Sequence, residues 1–290
     1  MQGVIFAIEE FAVYDGPGIR VNVLFKGCPM QCRWCHNPEG FKKALQVIRN
    51  LNGCTGCGAC RRFCGNPIYG NEEYCSLCER CIINCPHNLI RICGEIWEAD
   101  DLSSKLMEYR PYFESSGGGV TFSGGEVLTQ PEFLLEMLRK TKSLHRIIET
   151  SGYGVADDFK AVLEIVDFVY YDIKIMNRDK HIYYTGVDND LILQNAKALM
   201  DSSVPFVVRV PFIHEVNTDE ENLIHLAEFL FDTKSNFQGI ELLNYNELAG
   251  AKYHMMGATY QEIFSQASKE EIERGKNILS NLGVLVRSTS

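Results

Sequence analysis

The sequence predicts an α/β fold built on a parallel sheet, interrupted early by a cysteine-rich insertion. Runs rich in β-formers alternate with amphipathic, helix-like runs from residue 120 onward, the pattern of successive βα units. Eleven of the twelve cysteines lie between positions 28 and 85, which sets that stretch apart from the rest. Glycine-rich and charged residues fall where the strands end, the edge at which parallel α/β sheets place their functional groups.

The elements follow in order. Val21 to Gly27 reads as a strand that leads into the first cysteines. After the insertion, Val120-Thr121-Phe122-Ser123 is a strand and Pro131 to Lys142 a helix. Arg146 to Thr150 is a strand, Asp157 to Ile165 a helix, and Asp167 to Lys174 a strand. Asn189 to Met200 is a helix and Pro205 to Val210 a strand. Asp219 to Phe231 and Gly239 to Leu243 repeat the unit, and the helix Ser268 to Leu282 precedes a β-like run at Val284 to Arg287. About six strands obey the pattern, too few for an eight-stranded barrel. Periodicity leaves a partial barrel and a doubly wound open sheet as alternatives.

Composition narrows the function classes. With 290 residues, 46% of them hydrophobic, the chain suits one large domain carrying a small insertion. No apolar run reaches the length of about 18 residues that a membrane span needs, and Met1-Gln2-Gly3-Val4-Ile5-Phe6 lacks the basic start of a signal peptide. A cytoplasmic location is expected, with no membrane partner. A formal net charge of −10 without a basic stripe argues against nucleic acid. In a chain of this size clustered cysteines read as metal ligands rather than disulfides. Cys93 stands outside the groups as a free thiol.

Cys28, Cys32 and Cys35 form a C-x3-C-x2-C run. Three thiolates hold three corners of a cubane iron–sulfur cluster and leave the fourth iron without a protein ligand. An open metal position is where chemistry occurs. A zinc site would favour paired C-x2-C units or Cys/His sets instead. Two further runs follow within 32 residues: Cys54, Cys57, Cys60, Cys64 and Cys75, Cys78, Cys81, Cys85, the second closed by Pro86. Each matches the bacterial ferredoxin pattern, in which the fourth cysteine of one run ligates the other cluster. One auxiliary [4Fe-4S] cluster is therefore assigned to Cys54, Cys57, Cys60 and Cys85, and the other to Cys64, Cys75, Cys78 and Cys81. Gly65 stands where the pattern has proline, with Pro67 close behind.

With Trp34 before its last cysteine, the first run resembles that of radical S-adenosylmethionine (SAM) enzymes. The preceding Asp15-Gly16-Pro17-Gly18-Ile19-Arg20 makes the chain similar to glycyl radical enzyme activating enzymes, and the resemblance covers nearly all of it. It implies a partial (β/α)6 barrel over residues 1–50 and 94–290, with residues 51–93 as an inserted ferredoxin-like domain. It implies three [4Fe-4S] clusters and SAM. The open cluster would cleave SAM to methionine and a 5′-deoxyadenosyl radical, which takes hydrogen from a glycine of a partner glycyl radical enzyme. Flavodoxin or ferredoxin would supply the electron.

The same resemblance distributes the site residues. Ser123-Gly124-Gly125-Glu126 corresponds to the segment that meets the SAM amino group, with Trp34, Cys35 and His36 beside the cluster. Lys174 and Arg209 correspond to cations for the SAM carboxylate, with Asp172 on the Lys174 face of its strand. Glu149, Thr150 and Asp172 would hold a monovalent cation, Na+ or K+, although relatives carry aspartate where Glu149 stands. Asn246 replaces the histidine of a Pro-Tyr-His segment, so it keeps hydrogen bonding and loses titration. Asp15, Gly16, Pro17, Gly18 and Arg20 would face the partner peptide. Two other readings are a peptide-maturing radical SAM enzyme, whose auxiliary cysteines commonly follow the barrel, and a ferredoxin-type electron carrier. A carrier needs neither the three-cysteine site nor the Ser-Gly-Gly-Glu segment.

Overall fold

The structure is a computed structural model. It describes residues 1–290 apart from 65–74, 232, 234, 235, 246–249, 257–259, 261–263 and 288–290. Gly65, Pro67 and Asn246 lie outside the described residues. The main sheet contains β1 (Gln2–Ala12), β2 (Arg20–Phe25), β5 (Glu95–Glu98), β6 (Gly119–Gly124), β7 (His145–Thr150), β8 (Phe168–Asp172), β9 (Phe206–Phe212) and β10 (Phe237–Asn244). Their order is β10-β9-β8-β7-β6-β2-β1-β5. Each neighbouring pair from β2 to β10 is parallel, whereas β1 runs antiparallel to both β2 and β5. The alternating βα pattern thus marks the parallel strands, and the antiparallel edge carried no such signal. The expected strand at Val284 to Arg287 is a single bridge, Val286 to Ile240.

β3 (Gln46–Arg49) and β4 (Ile90–Cys93) form a separate antiparallel ribbon in which Gln46 faces Cys93 and Arg49 faces Ile90. Two short helices, α1 (Ala59–Phe63) and α2 (Arg80–Ile83), lie between these strands in sequence. The other helices are α3 (Ala99–Met107), α4 (Arg110–Ser116), α5 (Pro131–Lys140), α6 (Ala156–Leu163), α7 (Arg178–Thr185), α8 (Asp190–Asp201), α9 (Glu220–Leu230), α10 (Gly250–Met255) and α11 (Lys269–Asn281).

Alternation along each strand splits the sheet into two faces. Val21, Val23, Phe25, Phe122, Ile148, Val169 and Val208 point to the outer face, where α5, α6, α8 and α9 cover them with Phe133, Met137, Phe159, Leu199 and Leu226. On the inner face Ile147, Tyr170 and Val207 form a second, small apolar cluster with Phe168. Two residues further along the same strands the inner face turns polar, at Glu149, Asp172 and Arg209. Buried apolar side chains hold the base of that face, and charges stand at the strands' C-terminal ends.

The loop between β1 and β2 crosses the inner face. β9 lies four strand spacings from β2, roughly 19 Å in a flat sheet. Yet Arg209 on β9 donates to the carbonyl of Tyr14, in the loop between β1 and β2, at 3.1 Å. The loop covers that distance by reaching over the inner face: a Cβ on Gly16 would lie 2.5 Å from Ile147 Cδ1 on β7.

Gln130 ties the antiparallel edge to the parallel strands. Its side chain accepts from Val4 N–H at 2.8 Å and donates to the carbonyls of Val4 at 2.8 Å and Lys26 at 2.9 Å. Gln130→Ala strands these backbone groups in a buried place, so unfolding free energy should fall by about 2–4 kcal/mol in urea titrations. A change under about 0.5 kcal/mol, the size of an ordinary surface substitution, would refute this role.

Candidate functional site

The three-cysteine run begins just past β2 and bends back into the sheet. Gly27 N–H donates to Gly40 O and Cys28 N–H to Phe41 O, so the run leaves and re-enters at one point. The last turn of α7 holds its middle: Gln31 N–H donates to Thr185 O and Arg33 N–H to Tyr184 O, at 2.8 and 3.0 Å. Asn37 N–H donates to Cys35 Sγ at 3.4 Å. Trp34 is buried between Tyr184 and Phe264, with ring centroids at 5.8 and 6.0 Å. Burial pushes all three thiols above their usual range, Cys35 to about 12. Loading metal here must therefore release protons.

No periodicity in the sequence announces α7, because Arg178–Thr185 has no apolar stripe. The signals that could have revealed it are its caps. Asn177 accepts from Lys180 N–H at the start, and Gly186 ends the helix in the left-handed region at φ 82°.

Lys174 follows β8 and sits beside the thiols. Burial works against its ammonium, but Asp172 at 2.8 Å and the adjacent Cys32 more than offset this and raise its pKa. Glu149 on β7 accepts from Ser123 Oγ at 2.6 Å and from Arg209 Nη1 at 2.6 Å. Burial opposes its ionisation, yet Arg209 and Ser123 hold it below the usual carboxylate range. Arg209 also donates to Glu241 through Nε at 3.0 Å and stacks on the Tyr170 ring at 3.6 Å. Neither Glu241 nor Tyr170 stood out in the sequence.

The Ser123-Gly124-Gly125-Glu126 segment closes against the cysteine run. Gly124 has φ 113°, and a Cβ on Gly125 would lie 2.4 Å from Gly27 O. Both positions thus demand glycine. The Glu126 carboxylate does not face outward. It accepts from Thr150 Oγ1 (2.5 Å), Ser151 N–H (2.9 Å), Ser151 Oγ (2.6 Å) and Leu128 N–H (3.1 Å), and is buried. Its acceptor sites are committed to the framework, so the expectation that this carboxylate meets an ammonium group gives way to a positioning role. His36 is exposed at the edge of the run.

One further expectation changes. Arg20 is fully buried: Nε donates to Thr121 Oγ1 at 2.7 Å, Nη1 to Pro17 O at 3.2 Å and Nη2 to Val120 O at 2.7 Å. It supports the Asp15–Gly18 loop from behind instead of facing a partner. Glu149, Thr150 and Asp172 stand at the ends of β7 and β8, paired with Arg209, Glu126 and Lys174 respectively. Asp15 accepts from Asn22 Nδ2 at 2.5 Å, and its carbonyl from Thr121 Oγ1 at 2.8 Å. Pro17 is exposed, with Gly16 and Gly18 half-buried beside it.

In the insertion, Cys54, Cys57, Cys60 and Cys85 line one cavity of about 220 Å³. Leu89 N–H donates to Cys85 Sγ at 3.4 Å. Burial and the nearby Cys64 and Cys75 raise the Cys81 thiol. The cavity thus gathers the first of the two ligand groupings, and Cys64 and Cys75 stand near Cys81 of the second. Cys93 is buried in the ribbon.

The family model for a 4Fe-4S single cluster domain matches residues 14–178. The chain is 37% identical to a trans-4-hydroxy-L-proline dehydratase activating enzyme of Clostridioides difficile, over 96% of each chain. It is 36% identical to a choline trimethylamine-lyase activating enzyme of Oleidesulfovibrio alaskensis, over 94% of each. This chain belongs to the glycyl radical enzyme activating enzymes. A 4-hydroxyphenylacetate decarboxylase activating enzyme of Clostridium scatologenes is 38% identical over 90% of this chain and 88% of its own. Among solved structures, a domain of a pyruvate-formate lyase-activating enzyme from Bacteroides vulgatus superposes with a TM-score of 0.51 at 29% identity. That match covers 59% of this chain and 99% of the domain. As a radical SAM activating enzyme, the chain is an oxidoreductase that cleaves SAM reductively and takes hydrogen from a glycine of a partner glycyl radical enzyme. No helix among the described residues is long and apolar enough to cross a membrane.

Proposed function

We propose that this activating enzyme works from a partial (β/α)6 barrel over residues 1–50 and 94–290, with residues 51–93 as an inserted domain carrying two auxiliary [4Fe-4S] clusters. The parallel run β2-β6-β7-β8-β9-β10, covered by helices on its outer face, supports the barrel, and the β3–β4 ribbon supports the boundary. The cavity shared by Cys54, Cys57, Cys60 and Cys85 supports the exchange of fourth ligands between the two runs.

The observation that carries the site is the closure of the cysteine run on the Ser123–Glu126 segment, where Glu126 N–H donates to Gly27 O at 2.8 Å, with the Lys174–Asp172 pair at a neighbouring strand end. Cys28, Cys32 and Cys35 hold the catalytic cluster, which when bound supplies the electron that breaks the SAM sulfonium bond. Lys174 meets the SAM carboxylate as a charge-assisted donor. Carbonyls of the Ser123–Gly125 segment accept from its ammonium group, and His36 lies beside it. Trp34, Tyr184 and Phe264 keep water from the region. The Asp15–Gly18 loop presents the partner's glycine-bearing segment to the inner face. A flavodoxin or ferredoxin supplies electrons in the cytoplasm, by way of the auxiliary clusters. The partner is one of the substrate-cleaving enzymes of the class that the relatives activate.

Anaerobic iron–sulfur reconstitution, then reduction in the presence of SAM and a candidate partner, tests this reading. Low-temperature EPR should show a glycine-centred doublet on the partner, with methionine and 5′-deoxyadenosine formed together. SAM cleavage without the doublet would reject that partner. No cleavage by a fully loaded, reducible protein would reject the site.

A further inference from the structure

Arg209 has a different set of obligations from the other cation of the site. Lys174 has one carboxylate, Asp172, and borders the thiols. Arg209 uses every edge of its guanidinium. Nε donates to Glu241 at 3.0 Å, Nη1 to Glu149 at 2.6 Å and Nη2 to the Tyr14 carbonyl at 3.1 Å. Its plane lies 3.6 Å from the Tyr170 ring centre, its side chain is 6% exposed, and Asp15 Oδ1 stands 3.8 Å from Nη1. A guanidinium presents its donors in a fixed fork. It cannot offer a paired edge to another carboxylate without abandoning two acidic side chains that are themselves largely buried.

We propose that Arg209 is a positioning residue that fastens the Tyr14–Gly18 loop to the inner face for the partner peptide, and does not bind the SAM carboxylate, which falls to Lys174. This rests on the site reading above. The bond to Tyr14 O joins β9 to a loop 195 residues earlier in the chain, where that loop crosses the inner face. The loop's other ties come from its own side of the sheet: Thr121 Oγ1 and Asn22 Nδ2 to Asp15, and Arg20 to Pro17 O. Arg209 thus supplies the tie from β9, on the far side of the sheet from β2. Tyr14 itself is 71% exposed, so its backbone is held while its ring remains available to a docking chain.

The arrangement also links cofactor and partner sides. Ser123 Oγ donates to the carboxylate that Arg209 holds, so the Ser-Gly-Gly-Glu segment and the loop share Glu149 as an intermediate.

The test compares Arg209→Lys, Arg209→Met and Lys174→Met as anaerobically reconstituted proteins, measuring hydrogen exchange of residues 13–18 and the SAM dissociation constant. Lysine keeps the charge but not the fork, and it covers the event that the methionine variant fails to fold. In Arg209→Lys, loop exchange should rise about tenfold while SAM affinity stays within about twofold. The apparent KM for partner should rise as well. Lys174→Met should weaken SAM about tenfold or more and leave loop exchange unchanged. A tenfold loss of SAM affinity in Arg209→Lys, or unchanged loop exchange, overturns the proposal. Unchanged SAM affinity in Lys174→Met would instead overturn the site reading, with loop anchoring by Arg209 still standing on its exchange result.

Discussion

Replacing Cys28, Cys32 and Cys35 together by alanine should abolish SAM cleavage and partner activation while leaving most of the iron in place. The loss is expected to be on the order of a thousandfold or more, because the three thiolates act as a unit and no other described group supplies an open iron. Iron content should fall from about twelve to about eight atoms per chain, the complement of two closed cubanes. The contrast makes the result diagnostic. Loss of all iron would mean that the insertion cannot hold clusters by itself. Retained SAM cleavage would place the chemistry at another iron. The folded state should survive, since Cys28 and Cys35 are only partly buried and the run is held by backbone bonds to Thr185, Tyr184, Gly40 and Phe41.

Glu126→Ala should cost about 3–5 kcal/mol of stability, because four neutral donors lose their acceptor and a buried unmatched donor costs about 1–3 kcal/mol. The carboxylate collects four donors from two segments, Thr150–Ser151 and Leu128. Alanine leaves those donors buried and unmatched. Glu126→Gln should recover part of the loss, because its carbonyl oxygen still accepts while its amide opposes donors on the other side. Urea unfolding of the three proteins decides the matter. If alanine and wild type unfold within about 0.5 kcal/mol of each other, the carboxylate is not the keystone of these strand ends.

How far the sequence reveals this protein depends on the range of the physical signal. The parallel strands and their helices were legible because alternation and amphipathic spacing are local, as at Gly119–Gly124 and Pro131–Lys140. The cysteine groups were legible because ligand spacing is also local. What stayed hidden were pairings between distant segments. Arg209 looked like a charge seeking a ligand, since its partners Tyr14, Glu149 and Glu241 lie on three other elements. Arg20 sits in a glycine–proline segment that suggests exposure, yet backbone carbonyls of Pro17 and Val120 claim it. The β1–β5 edge and the β3–β4 ribbon depend on partners far along the chain, and no periodicity within either strand announces them.

The β3–β4 ribbon has a consequence for how such a chain can change. Arg49 and Ile90 face each other, so the 40 residues between them leave and return at one address. Closing so long an excursion adds only about 1.5 kcal/mol over closing a loop a sixth of its length, because the cost grows logarithmically. To the rest of the molecule the cysteine-rich segment is an interchangeable cartridge on a hairpin handle. A tight turn could replace it without disturbing the strand order, and an electron-carrying module of another kind could be grafted on the same two strands.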